Sequence, residues 1–201
     1  SSDVCSSDLK HSNVDPRPMT LETPALEIDD LTLRATSIGD TEAFAAVLTS
    51  NYQRLSEWID LPALIPDTSN HRDAMQSEFE RRKKRNERWW LIWDGEDLAG
   101  SISLLMPEGR ANWGLIGYWL AESHTGRGIA SRAVRRLIDL AFEELELNRV
   151  EIQASINNRK SCAVPERISI RRESIRRQGD VIGGLPHDMA SYVAFATDWP
   201  P

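Results

Sequence analysis

Two glycines bracket an arginine in Thr125-Gly126-Arg127-Gly128-Ile129-Ala130, and a run of helical periodicity begins at once. Residues of this kind in this order bind anions. Glycine takes positive φ without steric penalty and lets a ligand approach the backbone closely. The first N–H groups of the following helix lack intrahelical partners, and the helix dipole places positive charge at that end. A phosphate or pyrophosphate is the expected ligand. Two common phosphate motifs do not fit. A P-loop needs Gly-Lys-Ser or Gly-Lys-Thr at the helix start, where this chain has Gly128-Ile129-Ala130. A dinucleotide turn needs a third glycine and an acidic residue ending the next strand; Ser131 and Gln153-Ala154-Ser155 stand at those places. A plain helix-start turn is the alternative, and what flanks the turn decides.

The flanks read as a strand and a long helix. Gly114-Leu115-Ile116-Gly117-Tyr118-Trp119-Leu120 feeds the turn. Behind it Ile129, Ala133, Val134, Leu137, Ile138, Ala141, Phe142 and Leu145 form one apolar stripe at helical spacing. Elsewhere Leu31-Thr32-Leu33-Arg34 alternates as a first strand. A helix follows with Asp40 or Thr41 as cap, and Pro62 and Pro66 break the pattern after it. Thr68 or Ser69 opens a second helix that ends in a basic run, Arg81-Arg82-Lys83-Lys84-Arg85. The aromatic Trp89-Trp90-Leu91-Ile92-Trp93 and the stretch 98–105 form a hairpin across Asp94-Gly95. Gly109-Arg110-Ala111-Asn112 turns into the strand that ends at Leu120. Strands over 149–154 and 190–195 flank a short helix over 161–167. Helices alternating with mixed strands predict an α/β or α+β protein with a helix-covered sheet.

Composition bounds the function. The chain has 201 residues, 40% of them apolar, enough for one domain with a core. Its formal charge of −7 argues against a general nucleic-acid binder. No apolar run approaches the ~20 residues of a membrane span, and no leader with a cleavage site is visible. Only Cys5 and Cys162 occur, which argues against a disulfide framework and for a reducing cytoplasm. Residues 1–18, with their Ser-Ser-Asp repeat, resemble a translated adapter or a disordered extension. Met19 reads as the start of a single domain over 19–201.

Gly117-Tyr118-Trp119-Leu120, the glycine turn, Leu147-Asn148-Arg149-Val150-Glu151-Ile152 and Asn158-Arg159-Lys160-Ser161 resemble the GNAT N-acetyltransferase superfamily. More narrowly they are similar to its RimJ/RimL-type ribosomal-protein branch. The resemblance continues through Pro165-Glu166-Arg167, Arg177-Gln178 and Gly184 to His187-Asp188 and Tyr192. It also covers Leu31-Thr32-Leu33-Arg34 and Leu55-Ser56-Glu57-Trp58 at the front. It implies a GNAT fold: a central, mixed, mostly antiparallel twisted sheet flanked by helices.

The implied ligand is acetyl-coenzyme A. Its pyrophosphate would meet backbone N–H groups at Gly126, Arg127, Gly128 and Ile129, with Thr125 and Ala130 flanking them. The Arg127 side chain would contact phosphate or lie in solvent. The pantetheine arm would pair with the strand ending near Leu120, whose N–H would polarise the thioester carbonyl. Ser161 falls where the family protonates the leaving thiolate, and Asn158 where it orients that end of the cofactor. Both positions also suit helix capping. Asp180 stands where the branch has a glutamate proposed as general base, and reads equally as an ordinary loop aspartate. Glu57 and Glu122 are reserve carboxylates. His187 and Asp188 read as a structural hydrogen-bonded pair. No metal site is expected.

Three departures bear on the site. Thr125 replaces the family's Gln or Arg, Ile168-Ser169-Ile170 replaces Leu-Gly-Phe, and Ser174 replaces a glycine. The basic run at 81–85 reads as a solvated helix end. The tryptophans at 89, 90 and 93 read as packing, and Cys162 as a small buried residue. The leading expectation is acetyl transfer to a protein N-terminal amine, ribosomal in this branch. The alternatives are acetylation of a small amine (an aminoglycoside or polyamine) and an acetyl-CoA-binding module without turnover. A homodimer is compatible with each.

Overall fold

The computed structural model describes residues 23–59, 71–107 and 112–200. Eight strands form one sheet: β1 (Leu26–Ile28), β2 (Leu31–Ala35), β3 (Glu87–Asp94), β4 (Asp97–Leu105), β5 (Trp113–Leu120), β6 (Arg149–Ser155), β7 (Arg171–Ile182) and β8 (Leu185–Phe195). Their spatial order is β1-β2-β3-β4-β5-β6-β8-β7. The β5–β6 pair is parallel and the others are antiparallel. The helices are α1 (Thr41–Leu55), α2 (His71–Lys84), α3 (Ile129–Glu143) and α4 (Arg159–Arg167).

Both faces of the sheet are covered, which is why the middle of β3, Trp89-Trp90-Leu91-Ile92-Trp93, is apolar without alternation. On one face Trp89 and Leu91 pack with Phe44, Leu48 and Leu55 of α1 and Met75 of α2. On the other, Trp90, Ile92, Ile102, Leu104 and Ile152 meet the α3 stripe and Cys162 and Val164 of α4. The stripe is buried as its periodicity predicts, from Ile129 through Ala141. Burying each of its large aliphatic residues contributes about 1.5–3 kcal/mol.

Several boundaries differ from the sequence reading for local reasons. Leu26–Ile28 adds a short strand too brief to show a period. Asp40 is the N-cap of α1, as expected, but its carboxylate makes no cap bond to α1; it accepts the N–H and hydroxyl of Ser37, which caps the 3-10 turn Ile38–Asp40. Segment 171–182 is a strand rather than a loop, exposed until Ile182, so no burial alternation marks it. Arg82 is no solvated charge: it donates to Glu78 and Glu87 and lies over the Trp89 ring at 4.3 Å. Cys162 is buried, as expected. The expectations for residues 1–18, Pro62, Pro66, Thr68 or Ser69, and Gly109-Arg110-Ala111 lie outside the described residues.

Candidate active site

The site begins where two parallel strands part. β5 and β6 pair from Trp113/Arg149 to Ile116/Ile152 and no further, although β5 runs on to Leu120 and β6 to Ser155. Beyond Ile116 one edge of β5 is open. The Ala121 N–H donates to Ala99 on β4 at 2.8 Å. Backbone alternation therefore aims the Leu120 N–H and C=O the other way, toward the fork. Arg54 Nη2 donates to that Leu120 carbonyl at 2.5 Å, leaving the N–H as the group directed at the opening.

A short 3-10 turn, Glu122–His124, carries the chain from β5 into the glycine loop. Asn51 Oδ1 accepts the Glu122 N–H at 2.8 Å and so ties the turn to α1. The Thr125 hydroxyl donates back to the Glu122 carbonyl at 2.9 Å. Gly126 and Gly128 have φ of 77° and 75°, in the left-handed region, with open space where a Cβ would be. These glycines are needed for backbone conformation rather than for room. Gly128 caps α3 and supplies no side chain, so the N–H groups of Ile129, Ala130 and Ser131 have no helical acceptor. The buried Ser131 hydroxyl beside them is also without a partner among the described residues. Donors without acceptors at a helix N-terminus fit an anion of the pyrophosphate type. Arg127 is in neither expected state: its Nη1 pairs with Asp94 at 2.7 Å, on the β3–β4 turn.

α4 forms the opposite wall. Asn158 is its N-cap, and its Oδ1 accepts the Ser161 N–H at 3.1 Å. Capping thus occupies the Asn158 side chain, while the Ser161 hydroxyl is left for other work. The Tyr118 phenol, on β5, donates to the Ser161 carbonyl at 3.0 Å. Burial pushes the Tyr118 pKa well above its ordinary value, so the phenol is a neutral donor.

A cleft of about 990 Å³ joins these parts. Arg54, Trp58, Leu120, Gly128, Asn158 and Ser161 all line it, and Arg159, Lys160 and Arg167 add positive charge along α4. The volume lies at the upper end of small-molecule sites. Asp180 is not brought into this lining. It is exposed on β7, pairs with His187 across the hairpin, and accepts the Val181 N–H at 2.8 Å. His187 reaches toward the cleft instead: its Nδ1 is 3.0 Å from Ser155 Oγ, and its ring packs edge-on against Trp58. Asp188 does not bond His187; its carboxylate accepts the Gln178 N–H and holds a bulge in β7. Glu57 lines the cleft but is exposed, and Glu122 is exposed on the turn.

Arg54, Asn51 and Tyr118 are site residues that sequence reasoning missed. Arg54 lies 66 residues from its partner, and no local pattern marks it. Tyr118 was legible within the strand and the family motif, but with no role of its own. Among the departures, Ser169 adopts φ 64°, the conformation for which glycine is suited, and Ile170 is buried in the α3-side core.

The family model described as "Acetyltransferase (GNAT) domain" matches residues 30–171. A putative ribosomal N-acetyltransferase, YdaF of Bacillus subtilis (strain 168), is 35% identical over 173 residues, covering 85% of this chain and 94% of that protein. A crystal structure of a probable acetyltransferase is 34% identical with a TM-score of 0.78, covering 88% of this chain and 99% of that one. A coenzyme A complex of RimL, a ribosomal L7/L12 alpha-N-protein acetyltransferase, superposes with a TM-score of 0.77 at 24% identity, covering 86% of this chain and 98% of that one.

Proposed function

The chain belongs to the GNAT acetyltransferase family, and on that premise we propose that it moves the acetyl group of acetyl-CoA to a protein N-terminal amine. The observation that carries this reading is the fork. It exposes a strand edge and the Leu120 N–H beside a glycine loop suited to pyrophosphate. Relatives named as ribosomal N-acetyltransferases support a ribosomal-protein acceptor. RimL and the self-immunity acetyltransferase MccE, crystallised with coenzyme A and acetyl-CoA, support the cofactor.

Acetyl-CoA supplies an activated thioester. In this reading the loop over Thr125, Gly126, Arg127, Gly128, Ile129 and Ala130 holds the pyrophosphate, with Ser131 as a further donor. The Leu120 N–H stabilises the developing oxyanion, a contribution of about 3–4 kcal/mol for one such donor elsewhere. Arg54 aims that N–H by fixing the carbonyl of the same residue. Ser161 delivers a proton to the departing sulfur, and Asn158 fixes the turn that presents it. The amine gives its proton to solvent at the open cleft, because Asp180 is exposed on β7 outside the cleft lining. No helix among the described residues is long and apolar enough to cross a membrane, and none of their side chains cluster as a metal site.

The test is a coenzyme A release assay with N-terminal peptides, polyamines and aminoglycosides. Release with peptides is the expected result. Release only with small amines would assign the second substrate class. Acetyl-CoA binding without release would indicate a module that lacks turnover.

A further inference from the structure

A second hollow, of about 200 Å³, lies against the sheet face that carries α1 and α2. Its floor is a cross-strand row: Trp89 on β3 faces Ser103 on β4, which faces Gly117 on β5. Gly117 is the first residue past the last paired position of the fork, Ile116/Ile152. Gly117, with no side chain, leaves that wall of the hollow open. A Cβ there would point into it and meet only Ser103 Oγ, at 3.6 Å. The cofactor loop and Ser161 lie toward α3 and α4, while the end of α1 lines the cleft from the other side. The cleft and the hollow meet at Ile59, Tyr118 and Trp119, which line both.

We propose that this hollow receives the side chain of the acceptor's first residue, with Gly117 and Ser103 setting its size. The inference rests on the N-terminal acetyltransferase reading above. An amine entering the fork from the α1–α2 face, opposite the thioester, carries its own Cα substituent past Gly117 and toward Ser103. The walls select an uncharged side chain. Phe44 and Trp119 are apolar. Ser101 Oγ accepts from Trp89 Nε1 at 2.5 Å and keeps its own proton to donate. The buried Glu78 carboxylate is already bonded by Arg81 and Arg82, and Arg82 also pairs with Glu87, so the charges in this part of the wall are already matched. A lysine or arginine side chain would have no free carboxylate among the lining residues to offset its desolvation.

The test compares peptides identical except for a first residue of Gly, Thr or Lys. Wild type is expected to acetylate Thr-first at least about tenfold more efficiently than Lys-first in kcat/KM, the scale of a pocket contact. Gly117→Val, which fills the hollow with a strand-forming residue, is expected to lower the Thr-first to Gly-first ratio of kcat/KM by about tenfold. Ser103→Val fills it from the other wall and is expected to act in the same direction. Ratios unchanged in both variants, or Lys-first turned over as well as Thr-first, would overturn the assignment while leaving N-terminal acetylation standing. Turnover of no peptide at all, with acetyl-CoA still bound, would remove the N-terminal reading and this subsite with it.

Discussion

The phenol of Tyr118 donates to the carbonyl of Ser161 at 3.0 Å, and that carbonyl is the one Pro165 leaves without a helical partner. In a regular helix residue 165 would donate its N–H to residue 161, but proline has none. A strand residue thus completes the hydrogen bonding of α4 at the turn that presents the Ser161 hydroxyl. Tyr118→Phe is expected to cost about 1–3 kcal/mol by leaving a buried acceptor unmade. The cost should shrink in a Pro165→Ala background, where the helix regains its own donor. A double-mutant cycle on thermal unfolding reads the coupling; additive effects would show that the two residues do not serve one carbonyl.

Gly128 caps α3 at φ 75° with free space around it. Gly128→Val imposes a left-handed conformation on a β-branched residue, at about 1–2 kcal/mol. It also turns the loop N–H groups away from their ligand. Titration calorimetry is expected to show acetyl-CoA affinity reduced more than about tenfold, the loss of at least one hydrogen bond to a charged group. Full affinity in a folded variant would displace the phosphate from this loop.

Arg54 holds the Leu120 carbonyl and also donates to Asn51 Oδ1 at 3.2 Å, while Asn51 holds the Glu122 N–H. One helix end therefore fixes the strand end on both sides of Ala121. Arg54→Met is expected to lower kcat about tenfold, since hydrogen bonds to charged groups contribute about 1.5–3 kcal/mol. The acetyl-CoA KM should change less, because the glycine loop is untouched. Arg54→Lys keeps one donor and should recover part of kcat. A KM effect larger than the kcat effect would make Arg54 a binding residue instead.

These relationships show which parts of the molecule a sequence can disclose. The strand at 114–120, the glycine turn and the α3 stripe are local: each has a period or a residue type that names its conformation within a few positions. Local, too, is the cap of α4 by Asn158 on the Ser161 N–H. The fork is not. It depends on β5 lying beside β6 for four residue pairs and then leaving it, which no period records. The Arg54–Leu120 contact arises only when α1 lies over the end of β5. Segment 171–182 escaped because an edge strand that buries only its last residue, Ile182, shows no alternation. Asp180 illustrates the limit of family position: its residue number matches the motif, yet the carboxylate is turned to solvent opposite His187.

Glu78 is buried, and burial alone would raise its pKa. Hydrogen bonds and charge from Arg81 and Arg82 outweigh this and hold the carboxyl below the ordinary glutamate range. A lowered folded pKa stabilises the protein above the unfolded value and loses that contribution as pH falls through the folded value. The stability difference between wild type and Glu78→Gln should therefore be largest near neutrality and shrink below about pH 4. Urea unfolding of both proteins across that range reads it. A difference that does not vary with pH would contradict the charge-based account.

The central claim is direct acetyl transfer to an N-terminal amine at the β5–β6 fork. Its most direct test is to incubate the protein with acetyl-CoA and N-terminal peptides, follow coenzyme A release, and locate the acetyl group by mass spectrometry. The account predicts release coupled to one acetyl on the peptide α-amine, with Ser161→Ala lowering kcat more than acetyl-CoA affinity and Asp180→Asn, outside the cleft lining, leaving kcat nearly unchanged. Unchanged kcat in Ser161→Ala, or no acetylated peptide while acetyl-CoA binds, would contradict it.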